Sequence, residues 1–299
     1  MNIPIISDPA KIREQVKEWR REGLTVGLVP TMGYLHEGHQ SLIKKSVEQN
    51  DKTVVSVFVN PIQFGPNEDL ATYPRDLDRD AALCEETGAD LIFHPEPSDM
   101  YAEDFCTFVD MDRVTKNLCG KTRPTHFRGV CTVCSKLFHI VGPDRAYFGQ
   151  KDAQQLAVIR RMVRDLNFDL EIVACPIIRE EDGLAKSSRN TYLSPEERAA
   201  APILRKALDK GAVMIRGGEK NVDVIREAIR GIIESEPLAR VDYVEIVDFD
   251  NIEPIDQIRG RVLVAIAVYI GSTRLIDNDI FVFQGGMSND PLVLQLYNN

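Results

Sequence analysis

The first 175 or so residues of this 299-residue chain alternate short apolar runs with amphipathic stretches, and that alternation leaves few folds open. Strand-like runs fall at residues 25–29, 53–59, 90–93, 145–148 and 170–174, with helical patterns at 38–49, 75–87, 129–140 and 152–166 between them. Apolar strands separated by helices are the pattern of parallel strands joined by crossovers and covered on both faces. The expected fold is therefore α/β, a doubly wound, Rossmann-like parallel sheet, in which ligands bind beyond the carboxyl ends of the strands. The pattern breaks after Arg179. Residues 180–190 are rich in turn formers, and Ser194-Pro195-Glu196-Glu197 then supplies an N-cap, a proline at the first helical position and a capping-box glutamate. Two helices split near residues 216–219 precede strand patterns at 241–247 and 261–270, with a weaker one at 280–283. These shifts predict a nucleotide-binding catalytic domain over 1–178 and a smaller α+β lid domain over 179–299.

Charge narrows the partners. With 36 basic and 46 acidic side chains the formal charge is −10, which argues against a general nucleic-acid binder. A bound polyphosphate must then be neutralised by a few placed donors and a divalent cation. No apolar stretch is long enough to cross a bilayer, and the N-terminus lacks the basic flank and apolar block of a signal peptide. The expected location is cytoplasmic. Cys131 and Cys134 form a C-x-x-C, but Val130, Val133, Leu137, Phe138 and Val141 repeat at helical spacing around them. With no second C-x-x-C to complete a zinc site, both thiols read as core residues. No metal ligand is assigned.

The segment from Pro30 to His39 carries the chemistry. It places His36 and His39 three apart, with Gly33 and Gly38 beside them, where a strand ends and a helix begins. Free backbone N–H groups and the positive helix end favour phosphate there, and glycine before His39 permits close approach. H-x-G-H alone is a weak signal; its strand–helix setting strengthens it. Imidazole Nε2–H groups would meet charge developing on phosphoryl oxygens.

Several further blocks occur in order. They are Phe58-Val-Asn-Pro-Ile-Gln-Phe-Gly, Thr125-His-Phe-Arg-Gly-Val130, Phe148-Gly-Gln-Lys-Asp-Ala-Gln-Gln155 and Lys186-Ser-Ser-Arg-Asn190. Together with residues 30–39 they resemble the motifs of the pantoate–β-alanine ligase family, within the H-I-G-H nucleotidyltransferase superfamily. The resemblance spans residues 30 to 190. It implies ATP-dependent condensation of pantoate with β-alanine through a pantoyl adenylate, releasing pyrophosphate and AMP. It also implies Mg2+ accompanying ATP, and a homodimer.

Residue by residue, the resemblance puts His36, His39 and Lys151 at the reacting phosphates, with His39 the better donor to the leaving group. Met32, Gly33, Tyr34, Leu35, Glu37 and Gly38 would complete the ATP loop. Gly149, Gln150, Asp152 and Ile178 would join from neighbouring strand ends, and Lys186, Ser187, Ser188 and Arg189 would close over the phosphates. Gln63 and Gln155 would hold pantoate, Gln63 also bordering β-alanine. Lys186 stands where the family usually has methionine; its side chain either reaches the triphosphate or points to solvent. His94, His126 and His139 read as structural, and Asp110, Asp112 and the run Asp76–Asp80 as solvated faces. Two rival readings stay open: a sister nucleotidyltransferase, and a catalytically silent protein on the same fold.

Overall fold

A computed structural model describes residues 3–66 and 68–283; the end of the expected lid domain, 284–299, lies outside the described residues. The chain runs β1 (Ile5–Ile6), α1 (Pro9–Arg21), β2 (Val26–Thr31), α2 (Glu37–Gln49), β3 (Lys52–Val57), α3 (Leu77–Thr87) and β4 (Leu91–Phe93). Next come the short α4 (Pro97–Met100) and α5 (Cys119–Thr122), then α6 (His126–Val141), β5 (Arg145–Gly149), α7 (Ala153–Asp165) and β6 (Glu171–Cys175).

These six strands form one parallel sheet in the order β1-β4-β3-β2-β5-β6. Successive residues of a strand face opposite sides, so a sheet covered twice must be apolar at every position. Leu28 accordingly joins the core shared with α1, α6 and α7, while its neighbour Val29 joins the core under α2 and α3. Strand order reverses between β2 and β5, whose registers align Gly27 with Arg145 and Leu28 with Ala146. That switch point sets Pro30–Met32 and Gly149–Lys151 side by side at the sheet rim.

Beyond β6 the chain forms α8 (Pro195–Ala200), α9 (Ile203–Arg216), α10 (Val222–Glu234), β7 (Ala239–Asp248), β8 (Arg261–Ile270) and β9 (Thr273–Val282). The Ser194–Glu197 capping box forms as its residues predict. The three strands make an antiparallel sheet, β7-β8-β9. Val262, Val264, Ile266 and Val268 of β8 pack with α9 and α10. The alternate residues Leu263 and Ala265 belong instead to the core that contains α6 and α7.

Three features depart from the sequence reading. Residues 5–21 carry a strand and a helix where none was assigned; β1 is two residues long, and α1 starts at the Asp8 cap. Strand β9 begins at Thr273, not 280, because Asp277, Asn278 and Asp279 interrupt its apolar pattern while bonding to Arg179, the Gln150 carbonyl and Arg205. Asp80 is not part of a solvated face: it is 1% exposed.

Candidate active site

The turn from β2 into α2 is built by its own side chains. His36 is the N-cap of α2, and its Nδ1 accepts the Gly38 N–H at 3.1 Å. His39 answers in reverse, its Nδ1 accepting the His36 N–H at 3.3 Å, a capping box made of two imidazoles. A Cβ on residue 38 would lie 2.7 Å from the His36 ring, so glycine is required there. Because both Nδ1 atoms accept, each neutral ring carries its proton on Nε2. Burial, then the charges of Lys151, Lys186 and Arg79, bring His36 down to about 4. Burial, then the His36 ring and Lys151, hold His39 well below the usual imidazole value. Near neutrality the pair is thus two uncharged Nε2–H donors, with ring centroids 4.1 Å apart.

A cavity of about 230 Å³ opens beside them. Of the residues picked from sequence, it gathers Met32, His36, Gly38, His39, Gln63, Gly149, Lys151, Asp152, Gln155, Ile178 and Lys186 through Arg189. Gly33, Tyr34, Leu35, Glu37 and Gln150 do not line it. Leu35 is fully buried in the core under α2, and Tyr34 lies under the Arg79 guanidinium at 4.5 Å. The backbone N–H groups of residues 33 to 35 are also taken, by Thr31 Oγ1 and the two Asp80 oxygens. The expected free N–H groups of this turn are therefore replaced by imidazole donors.

Lys151 sits on the 3₁₀ turn Gln150–Asp152 that ends β5. Asn278 of β9, 4% exposed, donates to the carbonyls of both Gln150 and Lys151, at 3.0 and 2.9 Å. Gln63 is 7% exposed and oriented by Asn60, whose Nδ2 donates to Gln63 Oε1 at 3.1 Å. Asn60 is itself held, accepting from the Tyr101 hydroxyl at 2.7 Å.

His126 is the main residue the sequence reading missed, although its surrounding block was recognised. It lines the cavity, and its Nδ1 lies 3.0 Å from the Gln63 carbonyl. A carbonyl only accepts, so His126 carries its proton on Nδ1, opposite to His36 and His39. Burial, then Arg123, bring it down to about 4. Its Nε2 is left as a neutral acceptor. Arg123 also lines the cavity, paired with Glu68.

The loop after β6 supplies the remaining wall. Ser187 caps its short 3₁₀ turn, Ser188 contacts the Tyr73 hydroxyl at 3.2 Å, and Arg189 forms a two-pronged pair with Asp69 at 2.9 and 3.0 Å. Lys186 neither runs out to solvent nor stays free. Its Nζ bridges Glu180 at 2.7 Å and Glu37 at 3.2 Å, tying the loop to the first turn of α2. Cys131 and Cys134 are buried core residues of α6. Burial pushes the Cys131 thiol up to about 12.

Neutral imidazole donors, a fixed ammonium and a serine–arginine loop converging at the switch point of a parallel sheet define a nucleotide-using α/β enzyme. Comparison with known proteins specifies it further. The chain belongs to the pantoate–β-alanine ligase family, whose model matches residues 4–280. It is 62% identical to the pantothenate synthetase of Clostridium acetobutylicum over 92% of this chain and 98% of that one. It is 60% identical to that of Ruminiclostridium cellulolyticum over 91% and 96%. The crystal structure of pantothenate synthetase from Thermus thermophilus superposes with a TM-score of 0.88 at 45% identity, covering 92% of this chain and 98% of that one. That of pantoate–β-alanine ligase from Francisella tularensis, complexed with β-γ ATP and β-alanine, gives 0.77 at 32% identity, covering 96% and 100%.

Proposed function

We propose that this chain condenses pantoate with β-alanine, using ATP and forming pantothenate through a pantoyl adenylate. The observation that carries the reading is the convergence of His36, His39 and Lys151 on one cavity, under family membership. A carboxylate acylates amines poorly, and adenylation gives it a good leaving group. The pantoate oxygen attacks the α-phosphorus while the bond to pyrophosphate breaks, so charge builds on phosphoryl oxygens. His36 and His39 meet that charge with Nε2–H groups, and Lys151 with a fixed cation. No proton need leave either ring. The β-alanine amine then attacks the acyl carbon, and AMP departs.

Gln63 and Gln155 bind pantoate as neutral amides, adding no repulsion to its carboxylate. His126 Nε2 supplies an acceptor for a substrate hydroxyl or amine in a pocket otherwise dominated by donors. Met32, Gly38, Gly149, Asp152 and Ile178 bound the nucleotide, with Ser187, Ser188 and Arg189 over its phosphates. Gly33, Tyr34, Leu35 and Gln150 act from behind the wall, as backbone support, and Glu37 through its pair with Lys186. Magnesium is proposed as part of the MgATP substrate. Among the described residues no group of three or more His, Cys, Asp or Glu forms a cage. The donor set therefore suits an ion carried on phosphate oxygens, with the half-exposed Asp152 at hand.

The reading extends to a catalytic domain over 1–178, a lid domain over 179–299, a cytoplasmic location and a homodimer. Sedimentation velocity tests the dimer. The central experiment is pyrophosphate release from ATP. Release that requires pantoate supports the ligase. Release with another acceptor supports a sister nucleotidyltransferase, and none supports a silent protein.

A further inference from the structure

Asp80 lies on α3, outside the cavity and outside every motif used above, yet both its oxygens reach into the nucleotide turn. Oδ2 accepts the Tyr34 N–H at 2.8 Å, and Oδ1 accepts the Leu35 N–H at 2.7 Å. The backbone it grips is unusual. Gly33 has φ 84° and Tyr34, not a glycine, has φ 51°, so two successive residues are left-handed. Such a conformation is strained at a non-glycine residue and persists only where surroundings over-determine it. Successive N–H groups turned to one side make an anion cradle of the sort that elsewhere holds phosphate. Here the anion is the chain's own carboxylate. Thr31 Oγ1 takes the Gly33 N–H at 3.2 Å and donates to the Ser56 carbonyl, so residues 33 to 35 are pinned from two sides. The very next residue is His36, the imidazole cap of α2.

We propose that Asp80 is a positioning residue for adenylation: by filling the cradle at Tyr34 and Leu35 it fixes the backbone from which His36 and His39 aim their Nε2–H groups at the phosphates. The inference rests on the proposed role of those histidines. It also explains why the chain keeps a buried carboxylate near a triphosphate site, where an unpartnered negative charge would repel substrate. Each of its oxygens accepts one backbone N–H.

Asp80→Asn tests this at constant size. One amide oxygen still accepts, but the –NH2 opposes the other N–H, and the turn must shift. A displacement near 1 Å at a reacting group costs up to about 10²-fold. Pantoate-dependent pyrophosphate release by the variant is expected to fall about 10- to 10²-fold in kcat, while KM for pantoate, bound at Gln63 and Gln155, stays within about twofold. In a His39→Ala background the same change should cost less than in the wild type, because one of the two donors it aims is already gone. Gly33→Ala is the second variant, for the case that the Asp80→Asn protein does not fold. Its Cβ would lie 3.0 Å from Asp80 Oδ2 at a left-handed position, pressing on the same contact from the other side, and the same kcat signature is expected. A folded Asp80→Asn enzyme with lowered Tm but kcat within about twofold of wild type overturns the proposal, as does full additivity with His39→Ala. A harmless His39→Ala fails the functional reading itself, and is thereby distinguishable.

Discussion

The two walls of the cavity are fastened by different kinds of bond. The β2–α2 turn is held by backbone N–H groups bonding to Thr31, Asp80 and the two imidazoles, all within the large sheet and the helices on one of its faces. The loop 179–190 is held by charged pairs reaching to separate elements: Lys186 to Glu37, Arg189 to Asp69, and Arg179 to Asp277 of β9. Short bonds to a fixed backbone define a position closely. Arg179 is anchored on the buried Asp277, but Lys186 and Arg189 are long side chains on partly exposed partners, and a triphosphate is a competing partner for them. One wall is therefore suited to aiming donors, the other to closing over a nucleotide and letting it go.

The strongest way to break this contrast is to remove a donor from the aimed wall. His39→Ala is expected to lower turnover at least ~10²-fold, with a milder change in KM for ATP, in the pyrophosphate assay. A loss confined to KM would make the turn a binding surface only. On the closing wall, Asp69→Ala should act on ATP capture, lowering kcat/KM for ATP by about tenfold, the worth of a partly buried charge-assisted pair. An effect on kcat alone would place Arg189 among the aiming groups.

Acid sharpens the comparison further. The folded His36 value, about 4, lies below its ordinary 6.5, so between those values the unfolded chain binds more protons. Stability contributed by the neutral ring is present above about 6.5 and is lost as pH falls toward 4. Thermal melts from about pH 7.5 to about pH 4.5 should show that decline, and His36→Gln should remove its share of it while His39 and His126 keep theirs. The smallest effect is expected from Lys186→Met, a change within about threefold in KM for ATP, since its ammonium is already held by Glu180 and Glu37. A loss of about tenfold would show that the lysine leaves both carboxylates for the triphosphate.

How much of this was legible depends on the kind of information each residue carries. The large sheet was readable because strands covered on both faces must be apolar throughout, a pattern visible in sequence. His36, His39 and Lys151 were readable because motif and strand end coincide. Asp80 was not, since an acidic residue in a helix's first turn looks like dipole compensation and its two partners lie far away in the chain, on the β2–α2 turn. His126 sat in a recognised block, but its cavity position follows from packing of α6 against the 61–63 turn. Asn278 and Asp277 spoiled the alternation of β9 because they face neighbours rather than solvent.

Strand β8 carries a consequence for dissection of the molecule. One of its faces packs with its own helices, while Leu263 and Ala265, with Val247 and Ile280 from the adjoining strands and Phe249 just past β7, are continuous with the interior beneath the parallel sheet. The small sheet is thus stitched to the larger half by a shared oily seam. A chain severed at residue 178 would bare that seam on both fragments, and the halves should be insoluble apart yet recoverable when co-expressed.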